Sequence, residues 1–355
     1  MNNHSVSSIL QKLIHIPSVT GDTKACKQII HEAHHVLNLQ KVKSKVISLH
    51  KKPILIWGEL DLGKTTWLIN SHLDVVPGKP SQFIPKVSKG KIWGRGSADT
   101  KSSCAIILAN SKHWVSLAND KHITFMLVVD EEVGGDTTKL VLQKMPKLKG
   151  GIFFEPTNEQ MIVHAKGIIQ LKIIAEGKAC HGSRPWGGDN ALEKLTHSLT
   201  KFRLKHPTPT HETRSTTFNF SLLSGGTAIN QVPESATLWC DIRWNPQDDP
   251  QTIISDLKKI FQDCKVKILK LESPINCSHR SKLCESFVLS LKTNSINPIF
   301  GFEHGSSDAR HATARNIPAI VFGPVGKNLH GPNEWVSEKS LSKVQMVLDH
   351  WIKNI

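Results

Sequence analysis

Seven residues of metal-ligand type stand in this chain, most of them closing an apolar run. They are His72 and Asp74 in LINSHLDVV, Asp99 in GRGSADTKSS, Glu131 and Glu132 in FMLVVDEEVGG, Glu155 in GIFFEPT and His330 in NLHGPNE. Histidine nitrogens and carboxylate oxygens are the donors that borderline metals such as zinc accept. A metal held this way turns water into a nucleophile near neutral pH, so hydrolysis is the chemistry these residues offer. Adjacent Glu131 and Glu132 cannot both face one ion from a regular strand. A turn would separate them into one ligand and one base, and Gly134-Gly135 permits such a turn. Any one of these segments alone is an ordinary strand end; five in one chain point to a site.

Such residues need rigid strands to hold them. Apolar runs at 52–59, 65–71, 122–130 and in GIFFEPT alternate with helical patterns at 22–38, 101–117 and 137–145. That alternation predicts an α/β fold with an open, mostly parallel sheet, which presents functional groups at its strand ends. After Lys166 the pattern becomes strand, helix, strand, strand, helix, strand, running from IIQLKIIAEG through ATLWCDIRW to the segment after QTIISDLKKIFQD. This is the order of a ferredoxin-like α+β module. Sheet-like α/β character returns after about residue 280, with helices at 281–294 and near 307–315, the strand IPAIVFG and a closing helix from 336. The expected division is therefore residues 1–166 and 279–355 as a metal-binding domain, with 167–278 inserted as a lid or dimerisation domain. Hinges are expected near Lys166-Gly167 and around 272–280.

Composition narrows the setting. Seven cysteines lack CxxC spacing, and MNNHSVSSILQKLIHIP reads as a short capped helix without the features of a signal peptide; both favour a cytoplasmic protein with reduced thiols. No apolar run reaches the ~20 residues of a membrane span. The formal charge of +15 favours acidic partners, but the lysines are dispersed and Tyr is absent, so a small anionic substrate is at least as good an account as nucleic acid, and a plain solvated surface accounts for the charge as well. Cys180-His181 is not a convincing nucleophile–base pair, because neighbouring strand residues point to opposite faces.

Together with IPSVTGD at 16–22, HGSRP at 181–185, GTAINQVPESATLWCDIR and GSSDAR at 305–310, these segments resemble the dinuclear zinc amidohydrolases. That family includes succinyl-diaminopimelate desuccinylase, acetylornithine deacetylase, aminoacylase and carboxypeptidase G, and the likeness runs nearly end to end. It implies two zinc ions, with cobalt or manganese as substitutes. His72 and Glu155 would hold one, Glu132 and His330 the other, and Asp99 would bridge them. It further implies that Asp74 orients His72, that Glu131 is the general base toward a zinc-bridged hydroxide, and that a cis peptide follows Asp99. His181 would stabilise the oxyanion with help from Asn230, while Arg243, Ser306 and Arg310 would contact substrate; for Arg310, after Asp308, a structural ion pair is an equally good reading. The implied activity is hydrolysis of an N-acyl amino acid by a homodimer paired through the inserted domain. A metallo-dipeptidase or aminopeptidase on the same scaffold is the alternative, and a catalytically silent binding protein a remoter one. The chain departs from the family at Thr100 and Ser102 in the D-x-K-G motif, at His304 and Ser306, and at Ala165-Lys166-Gly167, where desuccinylases carry consecutive arginines.

Overall fold

The computed structural model describes residues 5–355, and they form two compact units. The first comprises Met1–His164, Ile275–Phe302 and Ser307–Ile355; the second comprises Ala165–Pro274 with Glu303–Ser306.

The first unit is built on a nine-stranded sheet. At its centre Ile123–Val128, Trp67–His72, Gly150–Phe154 and Ala319–Phe322 lie side by side and parallel. Lys52–Gly58 and Ser44–Leu49 extend one flank in antiparallel fashion. The central strands are buried throughout, which is why they read as continuous apolar runs rather than alternating ones. Helices Thr23–Leu39, Lys101–Asp120 and Glu338–Asn354 pack their apolar stripes on this sheet or on one another. Asp22 starts the first of these by accepting the backbone N–H groups of Lys24 and Ala25, both at 3.0 Å. Register decides where the site lies. His72 pairs with Val128 and Asn70 with Phe153, so three strands end level with one another.

A small antiparallel sheet was not anticipated. Lys86–Ser88, Lys91–Trp93, Trp335–Ser337 and Gly326–Lys327 pair in strands of two or three residues. Trp335 lies opposite Trp93, which joins the segment before Asp99 to the segment after His330. The capped N-terminal helix is present as Val6–His15, with Ser5 accepting from Ser8; the four residues before Ser5 lie outside those described. No helix among the described residues is long and apolar enough to cross a membrane.

The second unit has the βαββαβ order expected of it. Strands Gly167–Glu176, Thr217–Gly225, Ser235–Trp244 and Cys264–Glu272 form one antiparallel sheet, with the second and fourth in chain order at the edges. Helices Ala191–Lys205 and Pro250–Ile260 contribute Leu195, Phe202, Ile254 and Leu257 to a core shared with Ile169, Leu171 and Ile173.

One buried charge in the first unit ties its parts together. Lys101 is fully buried, and its Nζ donates to the carbonyl oxygens of Leu13 at 3.0 Å and Ile16 at 2.8 Å. These are the last carbonyls of the N-terminal helix, where the backbone dipole favours a cation. Lys101→Ala should lower stability by roughly 2–4 kcal/mol through the cavity and the lost bonds. The urea midpoint of unfolding measures this, and a change within experimental error would disprove it.

Candidate active site

The level strand ends deliver His72, Glu131, Glu132 and Glu155 to one place. His72 closes its strand fully buried, with Nδ1 3.0 Å from the carbonyl of Asp74. Nδ1 donating there leaves Nε2 as a lone-pair donor facing Asp99 Oδ1 at 3.1 Å and Glu155 Oε2 at 3.8 Å. The other oxygen of Asp99, Oδ2, lies 3.1 Å from Nε2 of His330, which is also 3.2 Å from Glu132 Oε2. Asp99 thus turns one oxygen toward each imidazole. The peptide bond between Asp99 and Thr100 is cis.

The glutamate pair is separated by a turn. After strand Ile123–Val128 the chain enters a single 3₁₀ turn, Glu131–Val133, followed by Gly134 and Gly135 with φ of +119° and +61°. A Cβ at Gly135 would overlap the Asp308 carboxylate, so glycine is required there for space as well as for φ. Asp74 fixes the turn from beneath. Its Oδ1 accepts from the Glu131 N–H and its Oδ2 from that of Glu132, both at 3.3 Å, while Thr20 donates to Oδ2 at 2.8 Å. Donor atoms consequently fall into two groups, each within 4.8 Å: His72, Glu131 and Glu155, and Asp99, Glu132 and His330.

Charge in this pocket is out of balance. Burial and then the Asp99 charge push the Glu132 carboxyl up to about 7. Burial raises Glu155 to about 8, with its bond to His72 opposing and the Asp99 charge adding. Glu131 is held well above the carboxylate range by burial and by Glu155. The imidazoles move the other way: His330 is raised to about 9 chiefly by Asp99, and His72 is raised by Asp74, Asp99 and Glu155 against its own burial. Two imidazoles and a set of carboxylates in two groups sharing one bridging residue fit a pair of borderline divalent cations, which would ionise the carboxyl groups at neutral pH.

Several supporting residues were not foreseen. Fully buried Asp130 accepts from Lys52 at 3.0 Å and from both the N–H and the hydroxyl of Thr137. Buried Glu334 and Arg95 brace the Asp99 segment. The last residue of the HGPNE segment could have flagged Glu334, since a carboxylate four residues from a ligand histidine suggests a partner; nothing local marks Asp130 or Arg95. Arg310 is buried rather than presented to solvent. It donates to the carbonyl of Gly134 at 2.5 Å and lies 4.0 Å from Glu131 Oε1, and His311 also reaches that carbonyl at 3.1 Å.

The remaining residues named from sequence lie in the second unit. His181 and Asn230 are neighbours: the Gly182 N–H donates to the Asn230 carbonyl at 2.7 Å, and His181 pairs with Gln231. Nδ1 of His181 accepts the Ser183 N–H at 3.2 Å, with the Ser183 hydroxyl at 2.8 Å, so in the neutral ring the proton sits on Nε2. Arg243 is bound through Nε to Asp241 at 2.9 Å, and Ser306 Oγ is buried and unpartnered. Lys166 is buried, with Nζ donating to the Thr213 carbonyl at 2.9 Å.

This fold and this paired donor set define a dinuclear metallohydrolase. Residues 68–354 match the model of peptidase family M20/M25/M40, and the chain belongs to that family. It is 29% identical over 303 residues to a succinyl-diaminopimelate desuccinylase of Rickettsia bellii, covering 77% of each chain. It is 24% identical over 347 residues to a LysW-lysine/LysW-ornithine hydrolase of Sulfurisphaera tokodaii, covering 95% of this chain and 92% of that one. The solved structure of aminopeptidase PepT from Bacillus cereus superposes with a TM-score of 0.78 at 18% identity, over 99% of this chain and 98% of the other.

Asp74→Ala should weaken metal binding about 10–100-fold, because it frees the glutamate turn and removes the carboxylate oxygen that lies 3.4 Å from His72 Nδ1. Calorimetric zinc titration of the chelator-treated protein measures the change; an isotherm equal to the parent's would refute the assignment.

Proposed function

We propose that this chain hydrolyses the amide bond of an N-acyl amino acid bearing a free carboxylate, in the manner of a deacetylase or desuccinylase. His72 and Glu155 would hold one zinc ion, Glu132 and His330 the other, and Asp99 would serve both; cobalt or manganese would substitute. The observation that carries this is Asp99, with one oxygen 3.1 Å from each of two imidazoles and Glu131 grouped beside them. When bound, the ions polarise the amide carbonyl and lower the pKa of water. Glu131 takes the proton of the attacking water and returns it to the leaving nitrogen as the C–N bond breaks, giving a carboxylic acid and an amine. Asp74 and the Gly134 carbonyl contacts of Arg310 and His311 keep Glu131 in position. His181, with its proton on Nε2, donates to the oxyanion, and Asn230 braces it. Arg243 and Ser306 serve the substrate carboxylate; Arg310 acts on the base turn instead.

The desuccinylase and the LysW-lysine/LysW-ornithine hydrolase among the relatives support an acylated amino acid as substrate. A dipeptidase or aminopeptidase is the second reading, favoured by Lys166: where desuccinylases carry arginines, this single cation is committed to the Thr213 carbonyl. A screen of N-succinyl and N-acetyl amino acids against free dipeptides separates the two, and turnover of dipeptides alone would overturn the first. Seven free thiols support a cytoplasmic setting. The exposed apolar residues Leu222 and Leu223 on one edge strand, and Ile268 and Leu271 on the other, support a homodimer through the inserted module.

Glu131→Gln should keep its metal yet lose roughly 10²–10⁴-fold in kcat. Loss of metal together with activity would assign Glu131 as a ligand rather than the base. Mixing inactive His181→Ala with inactive Glu131→Gln should restore part of the activity if His181 serves the partner's site. With subunit exchange verified by mass spectrometry, no recovery would show that no such sharing occurs.

A further inference from the structure

The Glu334 carboxylate is fully occupied. Oε2 accepts from Arg95 Nη1 at 2.9 Å and from the Gly96 N–H at 3.0 Å; Oε1 accepts from the N–H groups of Ala98 at 2.9 Å and Asp99 at 3.1 Å. Arg95 in turn donates through Nη2 to the His330 carbonyl at 3.1 Å. Both side chains are buried, 2% and 3% exposed, and His330 holds a left-handed φ of +59°. One ion pair therefore grips the backbone of Asp99 and the backbone of His330, 231 residues apart in sequence.

We propose that Glu334 and Arg95 are positioning residues for the second metal, the one assigned to Asp99, Glu132 and His330. Two of those three ligands ride on segments this pair holds, whereas His72 and Glu155 ride on strands of the main sheet. The inference rests on the two-metal reading above. Glu334→Gln is the sharpest probe. It keeps the shape but places an NH₂ against N–H donors on one side, so the Gly96–Asp99 segment loses acceptors whichever way the amide turns.

Zinc titration of chelator-treated protein should show two equivalents for the parent. In Glu334→Gln the second equivalent should bind about 10–100-fold more weakly, and the first, which shares Asp99 but keeps His72 and Glu155, should weaken less than the second. Arg95→Lys, which keeps the charge but not the fork, should fall between them. Hydrogen exchange of the metal-free variant should quicken at residues 95–99 and not in strand Gly150–Phe154. A parent binding fewer than two equivalents would overturn the two-metal reading itself. A parent binding two while Glu334→Gln binds both equally well, or loses both alike with faster exchange throughout, would overturn the positioning role and leave the two-metal reading intact.

Discussion

The constraint that governs this molecule is the repulsion among carboxylates gathered in a place where water screens them poorly. Asp74, Asp99, Glu131, Glu132 and Glu155 surround two imidazoles, and like charges ~4 Å apart repel by about 4 kcal/mol at the effective dielectric of a protein. A flexible chain would relieve this by spreading apart. Here the strands forbid it, because their ends are level and buried on both faces. Burial first, and then this repulsion, raises the Glu132 and Glu155 carboxyl groups toward neutral pH, while the bond to Asp99 raises His330 above it. Cations of suitable charge are what such an arrangement is built to hold.

Two frameworks divide the task. The parallel sheet supplies His72, the glutamate turn and Glu155, while the small antiparallel sheet carries the segments bearing Asp99 and His330. Each is reinforced by a buried carboxylate that is filled by hydrogen bonds rather than aimed at a ligand. Asp74 receives the N–H groups of Glu131 and Glu132, and Glu334 receives those of Ala98 and Asp99. Backbone N–H groups compensate these charges where water cannot, so the two carboxylates act as fixed braces.

The sequence made the first framework legible and the second obscure, for a physical reason. Strands buried on both faces leave long apolar runs, and His72, Glu131 and Glu155 stand at their ends. The α/β class and the βαββαβ order of the second unit follow from the same periodicities. Strands of two or three residues, such as Lys91–Trp93 and Trp335–Ser337, leave no period to detect, and their pairing spans more than 240 positions. Arg95 was invisible for that reason, and Glu334 carried only the hint of standing four residues after His330, since their pairing is a contact that only the folded chain makes. Arg310, for which the sequence left a substrate contact and a structural ion pair equally open, is buried and donates to the Gly134 carbonyl.

The chain's surplus of positive charge acquires a place in this account. A site lined with five carboxylates would repel the anionic substrate proposed for it, and two divalent cations would offset four of those five charges. The formal charge of +15 is spread over the rest of the chain. At longer range that dispersed charge draws an anion toward the surface, and the effect fades with salt over a Debye length of ~8 Å. Dispersed lysines without a dense cluster suit such a role better than a nucleic-acid surface would. Attraction of a small anion needs only a mean field, whereas a polyanion demands a continuous track of cations.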